Sequence, residues 1–242
     1  MAIIEVENIA IRNEDEYRLN GVSLSVEKGA LLLFLGSYES GAVELLKSIA
    51  GILEPDSGKI TIDGTNIYAA KSLEEEIYRR SKTAFVFKNG GLISNLTIMQ
   101  NLILPMNILY KDFSLAYKEK LIYEFMAIFN LIKILKKRPS ELTQDERKLV
   151  GFLRAQLIDS PIILMDEPTA NLGVENAELV YNKIEQNKRS GITQLILNHS
   201  SENFIKLADG VVVMEEGRIA LTCYGDELAD LDIETLIGFR NK

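Results

Sequence analysis

Five short apolar runs constrain this chain more than any other feature: Leu31–Leu35, Thr83–Phe87, Ile162–Met165, Gln194–Leu197 and Val211–Met214. Each is rich in strand-forming residues and too short for a buried helix, and helical patterns at Glu175–Lys188 and Glu202–Leu207 separate the later ones. A strand that is apolar on both faces must be covered on both, which is the setting of a mostly parallel sheet flanked by helices. Ile3–Ile9 and Val22–Val26 alternate apolar with polar residues, as half-buried strands do, and Lys59–Ile62 leads into the tight-turn pair Asp63-Gly64. Between about Thr97 and Ile158 the strand signal vanishes and three helical segments follow one another, ending with Gln144–Leu157. The expectation is an α/β chain whose core, residues 1–96 and 159–242, carries an inserted helical subdomain over 97–158.

Composition narrows the function. The 242 residues suit one large domain or a domain with an insert, and a hydrophobic content of 47% excludes a disordered chain. With 27 basic against 35 acidic residues, the net charge of −8 lacks the pull towards phosphate backbones and anionic lipid, so neither nucleic acid nor bare membrane is an expected partner. Cys223 has no second cysteine to pair with, and Glu5 and Glu7 interrupt Met1–Arg12 too early for a secretory leader, which points to the cytoplasm. Leu31–Leu35 and Leu102–Leu109 fall short of the roughly 20 residues that span a bilayer, so any service to a membrane runs through a partner rather than by insertion. The basic cluster Lys136-Lys137-Arg138 is expected to cap a helix C-terminus.

A phosphate-binding loop joins a strand to a helix as GxxxxGK[ST]; its backbone N–H groups cradle the phosphates, its lysine neutralises them and its hydroxyl holds Mg²⁺. Here the corresponding stretch is Gly36-Ser37-Tyr38-Glu39-Ser40-Gly41-Ala42-Val43. The glycine frame is present, but Ala42 stands where the lysine belongs, Val43 where the hydroxyl belongs, and Glu39 brings a carboxylate to a loop built for anions. Further on, the buried run Ile162–Met165 ends in Asp166-Glu167, a pair able to hold Mg²⁺ and to polarise an attacking water, or equally to cap a helix. The single histidine, His199, follows another buried run and suits either a catalytic or a structural hydrogen bond. Taken singly, the two glycines fit an ordinary strand-to-helix turn.

In this order, the motifs resemble those of the nucleotide-binding subunit of ABC transporters, and the resemblance runs almost end to end. Asp166-Glu167-Pro168-Thr169 is similar to that family's Walker B segment, with Asp166 at the magnesium-side carboxylate and Glu167 at the catalytic glutamate. His199, after Leu195-Ile196-Leu197-Asn198, matches the switch histidine that contacts the γ-phosphate. Pro139-Ser140-Glu141-Leu142, with Arg147, Arg154 and Ala155, resembles the signature and the helix behind it, and Gly51–Gly58 with Asp63-Gly64 resembles the stretch after the first helix. Asn89–Pro105 most resembles the ATPases of Mce-type lipid transporters, and its apolar part, Leu92–Pro105, lies where the family docks its permease or else forms subdomain core. The resemblance implies a P-loop NTPase fold of the ABC ATPase type. Its mostly parallel RecA-like core bears an antiparallel β layer near the N-terminus.

The departures carry as much meaning. The LSGGQ signature becomes Leu142-Thr143-Gln144-Asp145-Glu146, losing both glycines and adding two carboxylates that would face the phosphate held by a partner subunit. Lys88 replaces the Q-loop glutamine, Gly173 the D-loop aspartate, and the adenine-stacking aromatic is missing near Asn13, with Tyr17 the nearest ring. The expectation is a degenerate cassette subunit that binds and hydrolyses ATP weakly or not at all and acts as a structural or regulatory part of a transport system. It would sit at the inner face of the membrane through a permease, paired with itself or with another ABC ATPase subunit, with no cofactor for the chain alone and Mg-ATP only at a composite or rearranged site. Glu39 is expected to fold inward and fill the anion cradle. Two other readings stay open: a working ATPase in which Lys88 supplies the missing charge, and an interaction module without a transporter.

Overall fold

Alternation near the N-terminus builds a first sheet. The computed structural model describes residues 1–13, 16–37, 39–198 and 202–228. In it β1 (Ala2–Asn13) pairs antiparallel with β2 (Glu16–Glu27), in which Val22, Leu24 and Val26 are buried while Ser23, Ser25 and Glu27 face water. The fully apolar β3 (Leu31–Gly36) leads to α1 (Ala42–Ile49), which lays Ala42, Leu45, Leu46 and Ile49 into the core. The short strands β4 (Ser57–Ile62) and β5 (Thr65–Asn66) complete the first sheet in the order β2-β1-β4-β5. Asp63 and Gly64 join them with φ of 52° and 71°, and two positive values are what a two-residue hairpin turn needs to match strand twist.

After α2 (Leu73–Arg80) and β6 (Thr83–Val86) come the helices α3 (Ile98–Leu109), α4 (Leu115–Ile128) and α5 (Gln144–Gln156). The chain then returns through β7 (Ile162–Asp166), α6 (Val174–Arg189), β8 (Thr193–Leu197), α7 (Glu202–Leu207), β9 (Gly210–Glu215) and β10 (Arg218–Tyr224). The second sheet runs β10-β9-β3-β8-β7-β6, with β3 parallel to β8 and β9, and β7 parallel to β8. The five apolar runs are therefore five strands of one sheet. Its edge, β10, is antiparallel to β9 and was not expected, because only Cys223 of its seven residues is buried. The helix α2 likewise escaped notice: it buries no residue, so it has no apolar stripe to read.

Contacts divide the chain into two compact units, Met1–Phe85 with Pro161–Glu167 and Glu185–Lys242, and Val86–Ser160 with Pro168–Ile184. The first holds both sheets around one core, where Ile4, Ile9, Leu19, Leu32, Phe34, Leu45 and Leu195 are at most 1% exposed. Each such side chain contributes about 1.5–3 kcal/mol by leaving water. The second is helical. Ile98, Leu102 and Met106 of α3, Ile122 and Met126 of α4, and Leu149, Phe152 and Leu153 of α5 are buried. Lys136-Lys137-Arg138 corrects an expectation: the cluster is exposed between two 3-10 turns, Ile132–Ile134 and Pro139–Glu141, and instead of capping a helix C-terminus it offers the Lys137 carbonyl to the Ile98 N–H (2.8 Å) at the N-terminus of α3. None of the described helices is long and apolar enough to cross a membrane.

Candidate functional site

The C-terminal ends of β3, β8 and β7 lie along one edge of the parallel sheet, where open α/β sheets gather their ligands. From β3 the chain enters the loop Gly36–Gly41. The Ser40 N–H donates to the Ser37 carbonyl (3.1 Å), the Gly217 N–H donates to the Ser40 carbonyl (3.1 Å), and the nearly inaccessible Ser40 hydroxyl accepts from the Ala42 N–H (3.4 Å). Both glycines are obligatory. A Cβ on Gly36 would stand 2.4 Å from Ser40 Oγ, and one on Gly41, whose φ is 85°, would stand 2.2 Å from the Arg18 carbonyl. Gly41, the N-cap of α1, has no side chain to offer, and the first amide of the helix, at Ala42, is taken by the Ser40 hydroxyl.

The side chains of that frame point to other chemistry. Ala42 is 2% exposed and belongs to the hydrophobic core, and Val43 packs against the same core. The positions that should offer an ammonium and a hydroxyl to a nucleotide are instead apolar packing. Ser37 and Glu39 are exposed. Glu39 is thus not buried in the loop, as a plug filling the cradle would be. Tyr38 lies outside the described residues.

Asp166 closes β7 and Glu167 follows it, exposed by only 9% and 6%. The Glu167 N–H donates to the Leu197 carbonyl at 2.9 Å, holding the acidic pair against the end of β8, and Glu167 adopts φ 46°. A left-handed backbone at a residue other than glycine costs about 1–3 kcal/mol and tends to mark functional positions. The pair is thus buried and conformationally constrained at the C-terminal end of β7. Asn198 is buried at the end of β8, whereas His199 lies outside the described residues.

Near the turn joining β1 and β2, the Arg12 guanidinium lies 5.5 Å from the centre of the Tyr17 ring, and the Arg12 N–H donates to Asp56 Oδ2 at 2.6 Å. Ala10, Arg12, Tyr17, Asp56 and Ser57 line an open cleft of about 380 Å³. The nearest aromatic ring to the missing adenine platform is thus already stacked on a cation of the same chain.

In the helical unit, Lys88 sits half-buried in the turn after β6. Beyond it, Arg154 donates to the carbonyls of Gly91 (2.8 Å) and Gly90 (3.2 Å), and burial lowers the pKa of its guanidinium. Leu142 is buried, Thr143 caps α5 and Gln144 begins it. Both carboxylates at the signature position have partners within the chain. Glu146 accepts from the Thr143 N–H (2.8 Å) while Thr143 Oγ1 accepts from the Glu146 N–H (3.2 Å), a reciprocal capping box. Asp145 Oδ2 accepts from the Gly173 N–H (3.1 Å) and from Asn176 Nδ2 (3.3 Å). Helix N-termini have amide donors without intrahelical partners; Glu146 satisfies one from a turn away on its own helix, and Asp145 satisfies one at the start of α6 across the packing of the two helices. Lys148 and Asn176 were missed from the sequence. The only available signal was the i, i+3 spacing of Asp145 and Lys148, which places both on one face of α5.

Comparison with known proteins follows this geometry. A family model described as ABC transporter matches residues 19–170. The lipoprotein-releasing system ATP-binding protein LolD of Buchnera aphidicola is 32% identical over 210 residues, 86% of this chain and 90% of that protein. The molybdate/tungstate import ATP-binding protein WtpC of Thermococcus kodakarensis is 30% identical over 99% of this chain and 71% of its own length. Among solved structures, the nucleotide-free ATP-binding cassette of an ABC transporter superposes with a TM-score of 0.81 at 25% identity over the whole of both chains. The dimeric bacterial ABC transporter cassette MJ0796 superposes at 0.85 over 91% of this chain and 98% of its own, and at 24% identity it speaks for the fold alone.

Proposed function

We propose that this chain, which belongs to the ABC transporter family and is built as the ATP-binding-cassette subunit of a transport system, is a pseudo-ATPase that serves that system as a structural or regulatory subunit. One observation carries the reading: Ala42 and Val43, at the lysine and hydroxyl positions of the phosphate loop, are packed into or against the hydrophobic core. The residues present do not fit Mg-ATP. Asp166 and Glu167 keep a place for a metal and a water, but the groups that neutralise the phosphates and complete the magnesium shell are absent. A charge-assisted hydrogen bond contributes about 1.5–3 kcal/mol, and each 1.4 kcal/mol is about tenfold in affinity, so the two losses move a micromolar site to roughly millimolar or weaker. Phosphoryl transfer depends on positioning and charge neutralisation, so turnover falls further than binding.

The family resemblance implies that each nucleotide lies between one subunit's phosphate loop and the partner's signature. In a homodimer of this chain both halves of both sites are degenerate. With an intact partner, the site at that partner's phosphate loop meets Thr143–Glu146, whose carboxylates are used for helix capping. Permease contact is assigned to the segment around α3, where Ile93, Leu104 and Ile108 stay 42%, 39% and 46% exposed while Ile98 and Leu102 form core. The relatives are named for molybdate or tungstate import, lipoprotein release and methionine import at 29–32% identity. That spread supports a shared cassette whose cargo is chosen elsewhere in the assembly; a lipid cargo rests only on the likeness of Asn89–Pro105 to Mce-type ATPases.

The test is a calorimetric titration of the purified chain with Mg-ATP to several millimolar, beside the variant Glu39→Gly/Ala42→Lys/Val43→Ser. No heat from the native chain and saturable heat from the variant is the expected result. Binding by the native chain at tens of micromolar would overturn the proposal and favour a rearranged site at Lys88, in which case Lys88→Ala should abolish it.

A further inference from the structure

We propose that Asp145 and Lys148 form a clamp, closed without nucleotide, that fixes the loop 170–173 and the first turn of α6. The two side chains lie three residues apart on α5 and grip opposite polarities of one short loop. Asp145, the acid, takes the Gly173 N–H at 3.1 Å and the Asn176 amide at 3.3 Å; Lys148, the base, donates to the Ala170 carbonyl at 2.5 Å. Because the acid can only accept and the base can only donate, the loop is held in a single register.

The placement is specific in two further respects. Gly173 is where α6 begins, its carbonyl accepting the Ala177 N–H at 2.9 Å, so the Asp145 charge sits at the positive end of the α6 dipole. Lys148 is only 4% exposed, and a buried ammonium held by a carbonyl oxygen does not exchange partners as a surface lysine does. The clamped loop follows directly on the acidic pair Asp166-Glu167 and contains Gly173, which stands at the D-loop aspartate position. The geometry makes its order a property of this chain alone. A carboxylate engaged in this way is also withdrawn from any phosphate presented by a facing subunit, and its charge would repel one. The clamp is therefore constitutive: the loop is as ordered without ATP as with it.

Amide hydrogen exchange on the full-length chain tests this without relying on the nucleotide reading. In nucleotide-free buffer, amides of 170–176 should exchange roughly tenfold or more faster in Asp145→Ala than in the native chain, the loss expected for a charge-assisted bond. Asp145→Asn, which keeps an acceptor oxygen, should fall between them, and Lys148→Met should speed the same segment. Amides of the Thr97–Gln100 cap of α3 serve as the internal control and should not change. Native exchange rates at 170–176 in a folded Asp145→Ala protein would overturn the clamp. If Lys148→Met fails to fold, the two Asp145 variants still decide. Added Mg-ATP that slows exchange at 170–176 in the native chain would overturn its constitutive character; slowing confined to 36–43 would count against the pseudo-ATPase reading and leave the clamp standing.

Discussion

Glu39 shows how one residue can be degenerate in chemistry and harmless in packing. The residue is exposed, so its charge would oppose an anion in the loop through water. Repulsion between surface charges is on the order of 1 kcal/mol and is screened by salt. On the background of Ala42→Lys/Val43→Ser, Glu39→Gly is expected to tighten Mg-ATP binding about fivefold at low salt and by less than twofold at 0.5 M salt, measured by calorimetry. A different residue carries the shape of the permease-facing segment. Asn101, 1% exposed, accepts from the Ile93 N–H (2.7 Å) and donates to the carbonyls of Ile93 (3.1 Å), Leu96 (3.3 Å) and Thr97 (3.0 Å). Removing it breaks several part-buried hydrogen bonds, so Asn101→Ala should cost about 1–3 kcal/mol in a urea unfolding experiment. That role was not legible in the sequence, since an asparagine looks the same whether it knots a loop or faces water.

At the scale of elements, two helices of the second unit are started by reciprocal caps. Thr97 with Gln100 opens α3 and Thr143 with Glu146 opens α5. Thr143→Ala is expected to destabilise the protein by about 1 kcal/mol, read from the urea midpoint at unchanged slope, and to leave weak nucleotide affinity unaltered. Here the sequence was half legible. The S/T-x-x-E/Q pattern was present in Thr143–Glu146, but similarity to a signature drew both carboxylates towards a facing phosphate, whereas local amide donors are nearer and always present. Strands were read more reliably than helices without an apolar face. Leu31–Leu35 and Ile162–Met165 announce themselves by continuous burial, while α2 and β10 carry little or no buried stripe.

For the whole molecule, exposed apolar surface matters as well as the loop between β3 and α1. Leu104 and Ile108 lie four apart on α3 and leave apolar area in water, which an isolated chain gains nothing by exposing. Leu104→Lys/Ile108→Glu is expected to abolish co-purification of a multi-span membrane protein with the tagged chain while shifting the melting temperature by less than about 2 °C, since both positions are surface sites. Retained co-purification would move the permease contact elsewhere.

The sequence by itself determined the class and order of the elements and the loss of the lysine and hydroxyl from the phosphate loop. Both are properties of neighbouring residues: the strand period, the continuous apolar run, the spacing of Gly36 and Gly41, and the identity of Ala42 and Val43. Only the tertiary structure decided where the charged groups point. Asp145 meets Gly173 and Asn176 at separations of 28 and 31 residues, and Lys148 meets Ala170 at 22. No local period encodes such pairs, because they exist only once α5 and the start of α6 have packed and their unpaired amide and carbonyl groups have come within reach.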